Sequence, residues 1–355
     1  MSAFPLEIMA CGAVTPLGLT AAQTCAAIRA GITVFSEVYQ GAPSQEPVIG
    51  ARIPASQRLR RTAHDWLLHL AVRAIDECLD RGASQNRTAL ILILPEAFRG
   101  HPAMSALRDE NEIRRRLEKQ LGVRFCNEFM VLQDGRAGVQ RALTQAAEWL
   151  SSGCVEACIV GGVDTLITST DINRLQQSYR LYDKNNPQGV IPGEGAAFLR
   201  VTSSDKARPG MARVLACGIA QEKNTILGER YSQGDALRLA IESAFRRSGI
   251  PEKSISFRVS DMNGERYHAW ESILAESRSY RTRRESFPAW YLASSVGDMG
   301  VAAGVLTVIV AAVGIKKNYA PGAISMCEAS SDEGLRGACV IAPSPGNNLG
   351  TSIRQ

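Results

Sequence analysis

Gly135-Arg-Ala-Gly-Val-Gln-Arg-Ala-Leu-Thr-Gln-Ala-Ala-Glu-Trp-Leu-Ser-Ser-Gly-Cys-Val-Glu-Ala-Cys-Ile-Val-Gly-Gly-Val-Asp164 puts a turn, a helix and a strand into one stretch. Asp134 to Gly138 reads as a tight turn with two glycines. Val139 to Leu150 has apolar residues on one helical face, and Gly153 ends it. Glu156 to Gly162 is a continuous apolar run of the kind buried on both faces of a parallel sheet. Just upstream, Phe129 to Gln133 reads as another strand.

The same alternation extends in both directions. Upstream lie a strand from Leu6 into a Gly/Pro turn, a helix Ala21 to Ala30 behind Thr20, irregular chain over 31–58, a helix Arg61 to Cys78 and a strand Thr88 to Leu94. Residues 96–126 are polar around a charged helix, Asp109 to Leu121. Downstream, Pro192 to Val201 is a turn entering a strand, and Thr202 to Pro209 is a polar junction. Strands then follow at Ala212–Ile219, Ile255–Ser260 and Gly337–Ala342, with a strand or turn at Trp290–Ser295 and helices at Asp235–Ser248 and Val301–Ile315. Such alternation predicts α/β layers with mostly parallel sheet in two halves, 1–202 and 203–355.

The 355 residues are 45 % apolar and 21 % charged, enough for a large core. Forty basic and 35 acidic residues leave a mixed surface at +5. The Arg114–Arg116 and Arg281–Arg284 clusters read as solvated, so no nucleic acid is expected. Nine scattered cysteines in apolar runs point to buried free thiols. Cys154 and Cys158 are four apart without a second Cys/His pair, so no metal site and no cofactor is expected. Met299 to Ile315 is too short and glycine-rich for a comfortable membrane span. With no leader pattern, a cytoplasmic protein is expected.

Five stretches, in order, resemble the β-ketoacyl synthases of the thiolase superfamily. They are Gly12-Ala-Val-Thr-Pro-Leu-Gly18, Gly135 through Gly161-Gly162-Val163-Asp164, Pro192-Gly-Glu-Gly-Ala-Ala197, Ile255-Ser-Phe-Arg-Val-Ser-Asp261, and Val296-Gly-Asp-Met-Gly-Val-Ala-Ala-Gly304. The resemblance implies a thiolase-like fold, two similar βαβ-rich halves in five αβαβα layers. It also implies a dimer in which Phe129–Leu132 pairs with its copy. Gly135, Gly138, Gly193, Glu194, Gly195, Gly297 and Gly300 fall on its structural turns.

The chemistry departs from that family. Its nucleophilic cysteine falls at Arg136, its two histidines at Asp261 (or, one residue earlier, Ser260) and Asp298, and its lysine at Ala293. Its glycine-rich C-terminal loop becomes Glu333-Gly-Leu-Arg-Gly337. A guanidinium is no nucleophile, and an ionised carboxylate donates no hydrogen bond to an oxyanion. The swaps are mutually consistent if Arg136 bonds to Asp298, and to Asp261, as a plug. Independent drift at a disused site is the alternative.

No other cysteine takes the nucleophile's place: Cys126, Cys154, Cys158 and Cys339 lie in or beside strands or after a helix. The Asp261–Glu271 stretch, with Asn263, Glu265 and His268, is a candidate binding loop or acid/base cluster; otherwise it is a surface loop packed by Tyr267 and Trp270. His64, His69 and His101 complete the histidines. The reading is a pseudoenzyme that acts as a partner subunit or scaffold, bound to a synthase subunit, an acyl carrier protein or another assembly. The alternative is an acyl-thioester-processing enzyme of the 3-oxoacyl-ACP synthase type that uses Asp261, Asp298 or His268 as base.

Overall fold

The first half of the chain runs β1 (Leu6–Val14), α1 (Ala21–Arg29), β2 (Phe35–Tyr39), β3 (Val48–Ala51), α2 (Ala63–Cys78), β4 (Thr88–Ile93), α3 (Glu110–Leu121), β5 (Phe129–Leu132), α4 (Gly138–Ser151), β6 (Ala157–Thr165), α5 (Ser169–Gln177) and β7 (Glu194–Ser203). The second runs β8 (Ala212–Gln221), α6 (Asp235–Ser248), β9 (Phe257–Ser260), α7 (Arg266–Ser279), β10 (Ala289–Tyr291), α8 (Ala293–Val296), α9 (Val301–Lys316), β11 (Ser325–Ser330) and β12 (Leu335–Ala342). The computed structural model describes residues 4–39, 46–57, 63–99, 109–204 and 208–345.

The strands lie in the order β10-β9-β11-β12-β8-β1-β7-β6-β4-β5. Taken outward from the centre, β1-β7-β6-β4-β5 and β8-β12-β11-β9-β10 are one pattern written twice. In each half the two outer pairings are parallel and the two inner ones antiparallel. The halves join where Leu6–Ile8 pair with Ala212–Val214. Gly12 and Gly218 are each the seventh residue of the first strand of their half. A Cβ on either would overlap a helix carbonyl oxygen, that of Ala74 in α2 or Ala240 in α6. One packing device thus serves both halves. We propose the division at 202 and 203; β7 runs one residue past it.

Helix burial explains the layers. α2 turns Trp66, Leu67, Leu70, Ala74 and Ile75 onto β1, β6 and β7 from outside. α6 covers β8 and β12 likewise, with α7 beside it. Between the two halves of the sheet lie α4 and α9. From Val301 to Ile315 every residue of α9 is buried, as expected of a helix apolar on all sides. This is the α/β thiolase-like architecture, helix–sheet–helix–sheet–helix. No helix among the described residues is long and apolar enough to cross a membrane.

The structure differs from the sequence reading in several places. The sheet is not mostly parallel, since five of its nine pairings are antiparallel, and the Trp290–Ser295 stretch leaves β10 for the helical α8. Residues 31–58 contain the β2–β3 hairpin. The chain after β6 forms α5, and β11 fills the gap before the last strand. The Asp261–Glu271 stretch is no surface loop: its second half opens α7, Tyr267 is buried and Trp270 is 49 % exposed. The buried face of α7 reads Tyr267, His268, Glu271, Ser272, Ala275, Ser279. That spacing is helical, but most of the residues are polar, so an apolar pattern does not reveal it.

Candidate functional site: a buried ion network where five loops meet

The turn before α4 carries Arg136, held by Gly135 in a left-handed conformation at φ +66°. α9 lets this turn come close, because a Cβ on Gly304 would overlap the carbonyl oxygen of Arg136. The loop after β9 brings Asp261, Asn263 and Glu265. The α8–α9 loop brings Asp298, and the β11–β12 turn brings Ser331 and Asp332. Arg180 enters from the segment after α5.

Arg136 is 7 % exposed. Its Nη2 donates to Asp298 Oδ2. Its Nη1 donates to the Ser330 carbonyl at 3.2 Å and to Asp332 Oδ1 at 3.4 Å. Burial acts to lower its pKa, but Asp298 and Asp332 outweigh that and keep the guanidinium charged. Asp298 also accepts from the Gly300 amide and from Asn263 Nδ2, both at 2.8 Å. Its backbone is clasped by Ile191 and Gly193, again at 2.8 Å.

Asp261 does not bond to Arg136. Its Oδ2 accepts the Ser330 amide at 2.9 Å. Burial pushes its carboxyl up to about 7, against the pull of Arg136 and of that amide. Asn263 Nδ2 also donates to Glu265 Oε2 at 2.9 Å. Arg180 grips Glu265 in a two-pronged contact, 2.7 and 2.9 Å, and reaches Asp332 at 2.8 Å. Burial acts to raise the Asp332 carboxyl, yet Arg180 and Arg136 hold it well below the ordinary range. His268 is buried, its Nε2 has no hydrogen-bond partner, and Glu265 Oε2 lies 3.9 Å away. Burial, then Arg136 and Arg336, drive its pKa well below the usual value. It is a neutral imidazole.

The start of α4 is occupied. The Ala137 amide donates to Ser331 Oγ at 2.9 Å, and that of Gly138 to the Gly135 carbonyl at 3.2 Å. The space left beside Arg136 holds about 20 Å³, room for about one water. Glu96 closes it: its Oε1 accepts the Glu333 amide at 2.6 Å, and burial beside Asp332 pushes its carboxyl up to about 7. On the far wall Arg99 sits between Asp164 and Asp171. Asp164 in turn accepts the Val301 amide at the start of α9, where a carboxylate suits the helix dipole. Gly300, at φ +54°, leaves the space this carboxylate fills.

The turn residues singled out in the sequence have structural contacts. Glu194 takes the Ile53 amide at 3.2 Å, Trp66 Nε1 at 2.9 Å and Thr165 Oγ1 at 3.3 Å. Gly138 packs on Ile93, Gly193 on the Val296 carbonyl and Gly195 on Met299, while Gly297 turns the chain at φ +67°. Cys154 is exposed, and Cys158 and Cys339 are buried in β6 and β12. Cys126, half-buried, is pushed up to about 11 by burial. None of these four opens a helix. His101 lies outside the described residues, and His69 stacks on Trp66.

Asp332, Ser331, Arg180 and Glu96 were not read from the sequence. Asp332 adjoins the Glu333–Gly337 stretch that already departs from the family loop, so the signal for it was one residue away. Arg180 sits in a polar run with no periodicity to mark it.

The architecture is the thiolase-like fold that ketosynthase structures share. No family model and no curated protein matches the sequence. Solved structures do. The ishigamide ketosynthase/chain length factor matches with TM-score 0.74 at 18 % identity, over 96 % of this chain and 99 % of that one. A type II PKS acyl-carrier protein in complex with its ketosynthase matches with TM-score 0.77 at 14 % identity, over 96 % and 99 %. The ketosynthase from module 6 of the bacillaene synthase of Bacillus subtilis 168 matches with TM-score 0.76 at 14 % identity, over 96 % and 72 %. The likeness is one of fold.

Proposed function

We propose that this chain is a non-condensing β-ketoacyl synthase-like protein that works through a protein partner. The observation that carries the reading is the Arg136–Asp298 pair under the α4 turn, backed by Asp332 and Arg180. A charged side chain fills the position of an acyl nucleophile, and the helix-start amides that would face an oxyanion are taken. An acyl chain needs more than the room left there.

The partner is a synthase subunit, an acyl carrier protein, another assembly or a second copy. Two structural relatives support this: one is a ketosynthase/chain length factor, the other a ketosynthase held by its acyl-carrier protein. β5 supports pairing, since it ends the strand order and all four of its residues are only half-buried. Such an edge invites another strand.

The test is incubation with an acylated acyl carrier protein, followed by intact mass measurement and assay for a condensed product. No adduct and no product is expected. An adduct on any cysteine overturns the reading. Product without an adduct favours the acyl-thioester enzyme that uses Asp261, Asp298 or His268 as base; of these only Asp298 lines the residual space, and it is paired to Arg136.

A further inference from the structure

α7 buries a polar face and turns an apolar one outward. Its buried side is Tyr267, His268, Glu271, Ser272 and Ala275. The other side carries Arg266, Trp270, Ile273 and Ser277, a single stripe at helical spacing. Trp270 is half exposed and Ile273 is 61 % exposed. Tyr231, also exposed, stands beside them. Of eight large apolar side chains exposed among the described residues, three therefore meet at one place. Single exposed apolar residues are ordinary, but a cluster of them marks a contact surface.

A cleft lies on each side of Ile273. One, about 570 Å³, is walled by Tyr231 and Trp270; the other, about 470 Å³, by Tyr280 and Phe287. The two rings of the second wall lie 4.7 Å apart, and Arg284 covers Phe287 at 4.5 Å. The stripe also carries opposite charges at its two ends. Arg266 is exposed in the first turn of α7. Near the other end Glu276 holds Arg258 with Oε2 and still has 37 % of its side chain exposed.

A two-fold axis between Glu271 and Ser272 relates these features. It lays Trp270 of one copy over Ile273 of the other, beside the Tyr280–Phe287 cleft, and sets Arg266 against Glu276 and Ser277. We propose that α7 is a docking face for a second copy of this chain, the two helices antiparallel and each indole seated in the other's Tyr280–Phe287 cleft. Such a contact needs one self-complementary patch, because every pairing is made twice. A central tryptophan in a pocket is the kind of anchor that carries an interface. The face lies in the second half of the chain, whereas β5 ends the strand order in the first. It therefore does not depend on the reading above, and with β5 also paired it builds assemblies larger than a dimer.

The test is sedimentation velocity on the full chain over a concentration series. Wild type is expected to form a species of twice the mass that Trp270→Glu does not form, with the same melting temperature in both. Arg266→Glu and Ser277→Lys, at two exposed positions, each set like charges face to face. Each raises the association Kd at least about tenfold. Mixed with each other, these two variants associate again, because opposite charges then meet. Self-association that Trp270→Glu leaves unchanged runs through another surface and overturns the proposal. So does a wild type that associates no further than that variant, which leaves the groove to a different protein. A mixture no tighter than either charge variant alone overturns the antiparallel register.

Discussion

Replacing Arg136 by Met removes the cation that ties three loops together and keeps much of the side-chain volume. Asp298 keeps two donors, Asn263 Nδ2 and the Gly300 amide, and Asp332 keeps Arg180. Neither carboxylate is stripped bare. The expected loss is therefore about 3 kcal/mol, the low end for breaking a buried ion pair. For 355 residues the unfolding entropy is about 0.75 kcal/mol/K, so the melting temperature falls about 4 °C. Arg136→Lys keeps the charge but cannot reach Asp298, Asp332 and the Ser330 carbonyl together. It should lose about half as much. Urea and thermal unfolding at pH 7.5 measure both. An Arg136→Met variant within about 0.5 kcal/mol of wild type refutes the idea that the network holds the loops, and a Lys variant equal to wild type refutes the role of the planar fork.

The folded Asp261 carboxyl is raised from 3.8 to about 7, so its contribution is full below about pH 4 and is lost as pH rises through 7. Asp261→Asn should gain stability relative to wild type by about 2–4 kcal/mol between pH 4 and pH 8; a flat difference across chemical melts at these pH values contradicts this. His268 is depressed, so it weakens the fold as pH drops below about 6.5; His268→Gln should show a shallower acid loss by the same melts. Gly304→Ala should cost more than about 1–3 kcal/mol because its methyl meets backbone, not a movable side chain; a near-neutral melt would deny the close approach. In β5 the Glu128 and Leu132 carbonyls face β4, so the Val131 amide faces outward. Val131→Pro should turn dimers into monomers by light scattering and leave β4–β5 intact; an unchanged dimer removes β5 from the interface.

Much of the fold was legible because its strands are apolar runs and its turns carry glycines at fixed places. Gly161-Gly162, Gly193 and Gly297 mark where chains cross closely. α9 announced itself by an unbroken apolar run. α7 did not, because it buries Glu271, His268 and Ser272 among arginines instead of leucines against a sheet. The Arg136–Asp298 contact followed from charge matching between two loops. The role of Asp332 needed coordinates, since nothing local tells a carboxylate in a hairpin turn that two arginines will arrive from residues 136 and 180. Asp261 was expected at Arg136 and instead serves the Ser330 amide, a backbone need no side-chain pattern displays.

The ion network also bears on the history of the chain. A mutation placing Cys at 136 would take from Asp298 its ion-pair partner, and one placing a neutral His at 298 would leave the Arg136 guanidinium without its closest countercharge. A single change at either position crosses a less stable protein, so the network acts as a ratchet, reversible only by coordinated change at several positions.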